Sequence, residues 1–74
     1  SLEKGEPMND LDEIMRAIET VVDGWYPPGT RIDWDDFIDR VEEYSCVDLG
    51  SDMLSPTIQM IKIQARQLRK ANGL

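Results

Sequence analysis

Four of the eight Lys and Arg residues, Lys62, Arg66, Arg69 and Lys70, fall in residues 55–74, a stretch holding none of the fifteen Asp and Glu. That stretch carries +4 and residues 1–54 carry −11, which together give the net charge of −7. A cationic segment on an acidic chain either binds an anion outside the domain or pairs with the acidic remainder. Other chemistry-bearing side chains are few. There is no histidine and a single cysteine, Cys46. A conventional zinc site, a Cys–His or Ser–His pair and an internal disulfide therefore cannot be assembled within this chain. Asp35, Asp36, Asp39, Glu42 and Glu43 crowd together but read as the solvated face of a helix, and Asp48–Asp52 lacks the ligand spacing of an EF-hand loop. No glycine-rich phosphate loop is present. The expectation is a non-catalytic binding module with no metal and no cofactor.

The elements that position the cations follow from apolar periodicity. Leu11, Ile14, Met15, Ile18, Val21 and Val22 recur at helical spacing and predict helix 1 from about Asp10 to Asp23, capped by Asn9 or Asp10 and closed at Gly24. Trp25, Tyr26, Pro27, Pro28 and Gly29 form a turn whose aromatics fold over the end of that helix. Asp33 caps helix 2, from about Asp33 to Tyr44 or Cys46, with Trp34, Phe37, Ile38, Val41 and Tyr44 as its buried stripe and a staple between Ile32 and Phe37. Val47–Leu54 connects through Gly50, and its apolar residues are expected to pack underneath. Helix 3 runs from Ser55 to Asn72, with Ser55 as N-cap and Pro56 at the first helical position. Its core face is Ile58, Ile61, Ala65 and Leu68; Gln59, Lys62, Arg66, Arg69 and Lys70 make a basic flank; Met60 and Ile63 lie with Gln64 and Gln67 on the far side. Residues 1–8 read as a disordered leader, and residues 9–74 as one helical domain built on Leu11, Ile14, Ile18, Val21, Trp34, Phe37, Val41, Ile58, Ile61, Ala65 and Leu68.

The order of these features resembles a known family. A first helix runs into Tyr26-Pro27-Pro28, and a third helix opens with Ser55-Pro56-Thr57 and closes with Leu68-Arg69-Lys70 ahead of Gly73-Leu74. This layout is similar to the winged helix-turn-helix DNA-binding domain of LexA-type repressors. The resemblance covers roughly residues 11–74, although the second helix is strongly acidic here and no segment reads as the β-hairpin wing. It implies an all-α fold with helix-turn-helix-like packing of helices 2 and 3; an up-down three-helix bundle is the alternative. It further implies that Ser55, Thr57 and Gln59 meet DNA at the start of helix 3, and that Arg31, Lys62, Arg66, Arg69 and Lys70 neutralise phosphates.

Two other outcomes stay open. The cations could instead pair with carboxylates of helices 1 and 2 and complement the helix 3 dipole. Alternatively, Met60, Ile63 and Gln67 could form a protein-interaction or dimerisation face, with the acidic helix 2 steering a basic partner. No apolar run approaches the roughly 20 residues of a membrane span and no signal peptide is apparent, so an intracellular, cytoplasmic setting is the expectation.

Overall fold

The computed structural model describes residues 9–73, so the expected leader lies outside the described residues. Three helices, α1 (Asp10–Gly24), α2 (Trp34–Ser45) and α3 (Pro56–Asn72), make an all-α, three-helix domain, as the periodicity predicts. Each start is fixed by its expected cap. Asn9 Oδ1 accepts from the Asp12 N–H at 2.9 Å, Asp33 Oδ1 from Asp36 at 3.4 Å, and Ser55 Oγ from Ile58 at 3.2 Å. Each cap satisfies one of the four amides that a helix N-terminus otherwise leaves without a partner.

The ends are less regular. Gly24 is still helical, and Trp25 supplies the C-cap with its N–H donating to Val21 O at 2.8 Å. α2 stops at Cys46, whose φ of 59° is left-handed. That conformation usually falls to glycine or asparagine, because a Cβ there crowds the following carbonyl. Cys46 is also exposed.

The core is a single cluster around α1. Phe37, Ile18, Val21, Val22, Val41, Ile58 and Ile61 are fully buried, joined by Ile14, Ala17, Tyr26, Ile38, Leu49 and Ala65. α1 packs against both other helices, and the Lys62 and Arg66 side chains of α3 reach Trp34 of α2. Phe37 is the aromatic centre, with Tyr26 tilted against it at 5.5 Å and Trp34 edge-on at 5.3 Å between centroids. A chain of this size has a net stability of roughly 4–11 kcal/mol, and burying one large apolar side chain contributes about 1.5–3 kcal/mol. Each of these contacts is therefore a sizeable share of the total.

Four positions expected inside are not fully so. Leu11 is 54% exposed and Tyr44 47% exposed, whereas Trp34 and Leu68 are half-buried. Leu11 lies in the first turn of α1, and Tyr44 in the last turn of α2, next to the half-exposed Trp25. Leu54, expected to pack under the connection, is exposed, whereas Leu49 from the same segment is buried.

α3 returns to the turn that α1 feeds. Gly73, just past the end of α3, sits so close to Pro28 that a Cβ on it would meet the Pro28 Cβ and the Arg69 carbonyl oxygen at 3.0 Å each. The C-terminal ends of α1 and α3 thus converge on the Trp25–Thr30 turn, and α2 begins beside it.

Candidate basic interface

The cations of α3 divide into two kinds. Arg69 reaches across to the turn, where its Nη2 donates to Pro27 O at 3.1 Å and to Thr30 O. Its Nε is buried and has no hydrogen-bond partner among the described residues. A guanidinium suits this task, because one terminal nitrogen carries two N–H donors and serves both carbonyls. Arg69 acts as a clasp between the end of α3 and the α1–α2 turn.

Lys62, Arg66 and Lys70 repeat every four residues along one side of α3. Arg66 and Lys70 are exposed and Lys62 is half-buried. The first two sit over Trp34, with Lys62 Nζ at 5.7 Å and Arg66 Cζ at 5.2 Å from the ring centroid. Electrostatic attraction to the ring face contributes about 0.5–1 kcal/mol at such exposed sites and places both charges side by side. Among the described residues the only ion pair is Arg40–Asp36, at 2.8 Å within α2, so no carboxylate there is paired with an α3 cation. Arg31 is exposed next to Thr30, the residue that Arg69 grips, and so stands near the same end of the domain.

The residues nominated for the start of α3 are used differently. Ser55 Oγ is taken up as the N-cap, and Gln59 Nε2 donates to Met53 O at 2.8 Å, tying α3 to the segment before it. Thr57 is exposed. On the far side, Met60 is half-buried against the core rather than exposed, whereas Ile63 is 49% exposed and Gln67 exposed. A cleft of about 240 Å³ between α1 and α3 is lined by Met15, Ile18, Glu19, Gln64, Gln67 and Leu68. A shallower concavity of about 600 Å³ lies between α2 and the α2–α3 connection, with Asp35, Asp39, Glu42 and Asp48 around Ile38 and Met53. Glu42 serves the fold there, accepting from the Leu49 N–H at 2.9 Å. Among the described residues no group of three or more Cys, Asp or Glu is arranged to hold a metal ion.

A polar and aromatic network escaped the sequence reading. Tyr26 donates its hydroxyl to Asp36 Oδ2 at 2.6 Å, and Arg40 Nε donates to the same oxygen at 2.8 Å. The Arg40 guanidinium lies 3.8 Å from the Trp25 ring centroid, and Trp25 Nε1 donates to the Tyr44 hydroxyl at 3.3 Å. The i, i+4 spacing of Asp36 and Arg40 was a visible signal; the turn that brings Trp25 and Tyr26 onto it was not. The Tyr26 hydroxyl, and next the Arg40 guanidinium, hold the Asp36 carboxyl below its ordinary value of 3.8. The same carboxylate, together with burial, pushes the Tyr26 phenol above its ordinary 10.0.

Comparison with protein families, curated proteins and solved structures finds no match to this chain. No described helix is long and apolar enough to cross a membrane.

Two predictions follow from this geometry. Arg69→Met removes two charge-assisted hydrogen bonds at a partly exposed site and is expected to lower stability by about 1–2 kcal/mol in urea unfolding. Lys70→Met, one residue on, is expected to stay within about 0.5 kcal/mol of the parent. The second prediction concerns pH. A carboxyl with a depressed folded pKa stabilises the fold above its unfolded value and loses that contribution as pH falls through the folded one. The Tm difference between the parent and Asp36→Asn should therefore be full at neutral pH and shrink below about pH 4. The raised Tyr26 phenol acts in the opposite sense, with its contribution intact below about pH 10 and lost as pH rises through the folded pKa.

Proposed function

We propose that this domain is a non-catalytic, helix-turn-helix-like DNA-binding module that contacts the phosphate backbone through the basic flank of α3. The observation that carries this reading is the set of α3 cations without carboxylate partners among the described residues, two of them held over Trp34. Lys62, Arg66 and Lys70, with Arg31 close by, form a row of positive charge, and no Asp or Glu interrupts α3. The body's negative charge opposes approach from any other side, so it orients the domain with α3 toward a polyanion.

The test is fluorescence anisotropy of a labelled duplex titrated with the intact chain at about 20 and 200 mM salt. Non-specific binding is expected to be weak, about 10⁻⁴–10⁻⁶ M near physiological salt, and much tighter at the lower concentration. The double variant Lys62→Glu/Arg66→Glu should show no binding at either salt. Absence of binding by the parent chain at low salt, or equal binding by the double variant, contradicts the proposal.

A further inference from the structure

Beyond that reading, we infer that the face shared by α1 and α3 is a dimerisation surface, seated on the same face of a second copy. The C-terminal ends of both helices reach the Trp25–Thr30 turn, so α1 and α3 run side by side in the same direction. The cleft of about 240 Å³ between them is walled by Met15 and Leu68, with Gln64 and Gln67 from α3. One turn earlier stand Leu11, 54% exposed, on α1 and the half-buried Met60 on α3. Ile63, one turn before Gln67, is 49% exposed. Glu19 is the one charged side chain in the cleft lining. A surface rich in methionine and poor in charge has the composition of an interface core.

Charge and symmetry select a second copy as the occupant. Two chains that each carry −7 associate most readily through a surface that does not set like charge on like charge. In a two-fold contact, a patch on the axis meets itself. The row of Lys62, Arg66 and Lys70 fails that condition, as do Asp35, Asp39, Glu42 and Asp48 around the α2 concavity. Glutamine meets it, because its amide carries donor and acceptor together and pairs with another glutamine; its N–H groups also serve Glu19. The area suffices as well. The 15 residues of α1 and 17 of α3 give a face about 25 Å long and roughly 20 Å, or two helix diameters, wide. Closing two such faces buries roughly 1,000–1,200 Å² in total, the lower end for a specific interface, so a weak dimer is expected. Lys62 and Arg66 lie over Trp34 on the α2 side of α3, so the basic flank of each copy stays open.

The experiment is sedimentation equilibrium of the intact chain without nucleic acid, from about 10 µM to about 1 mM, at about 150 and 500 mM salt. A monomer–dimer equilibrium with a Kd of about 10–200 µM is expected. It should hold or tighten at the higher salt, which screens the repulsion between two chains of −7. Ile63→Asp and Gln67→Glu, both at exposed positions, should each weaken association at least about tenfold with helical circular dichroism unchanged. Lys70→Gln changes the net charge by the same amount as Gln67→Glu but lies on the basic flank, and should leave the Kd within about twofold. A chain that stays monomeric throughout, a dimer that weakens as salt rises, or a dimer that Ile63→Asp leaves intact overturns the inference. Because no nucleic acid is present, each of these outcomes leaves the DNA reading to its own titration.

Discussion

The fold depends on where the end of α3 is held. α1 and α2 share an extensive contact and are linked by a short turn, so their association is largely local. α3 arrives after a connection, and its C-terminal half must be located against them. Arg69 does this by gripping the Pro27 and Thr30 carbonyls, while Gly73 lies against Pro28. The Pro27 carbonyl already accepts the Thr30 N–H at 3.0 Å across the turn, and Arg69 adds a second donor to it and supplies one to the Thr30 carbonyl. One cation thereby satisfies backbone groups of the turn and fixes the helix that carries the other cations.

That assignment changes how the charge asymmetry of the chain is understood. In the sequence the four α3 cations are equivalent, a +4 segment attached to a −11 body. In the structure Arg69 serves the fold, Lys62 and Arg66 both lie over the Trp34 ring, and Lys70 is exposed. The acidic side is organised separately. Asp36 is engaged with Tyr26 and Arg40, and Glu42 with the Leu49 amide. The two charge populations mostly satisfy local needs, which leaves a basic flank and an acidic concavity as distinct surfaces of one small domain.

Much of the fold was legible because it is written in local rules. Helical spacing located all three helices, and Asn9, Asp33 and Ser55 cap them as their side chains require. Phe37, Ile58 and Ile61 were recognisable as core from periodicity alone. What was not legible depends on contacts distant in sequence. Nothing local indicates that Arg69 finds carbonyls about forty residues earlier, or that Gln59 turns back to Met53. The exposure of Leu11 and Tyr44 has the same origin, since a helical stripe does not reveal how far along it the neighbouring helix extends. Met60 was misplaced for a related reason. The helical wheel puts it away from Ile58 and Ile61, yet it lies against the core.

On the proposed reading Lys62, Arg66 and Lys70 of α3, and not the clasp or the capping groups, form the binding surface. The most direct measurement is a two-dimensional ¹⁵N NMR titration of the chain with duplex DNA, following backbone amides, side-chain amides and the indole N–H groups. Progressive shifts are expected at Arg31, the Trp34 indole, Lys62, Arg66 and Lys70, with the Gln59 side-chain amide and the Trp25 indole unmoved. Shifts confined to α1 and α2, or a large shift of the Gln59 side chain, would contradict it.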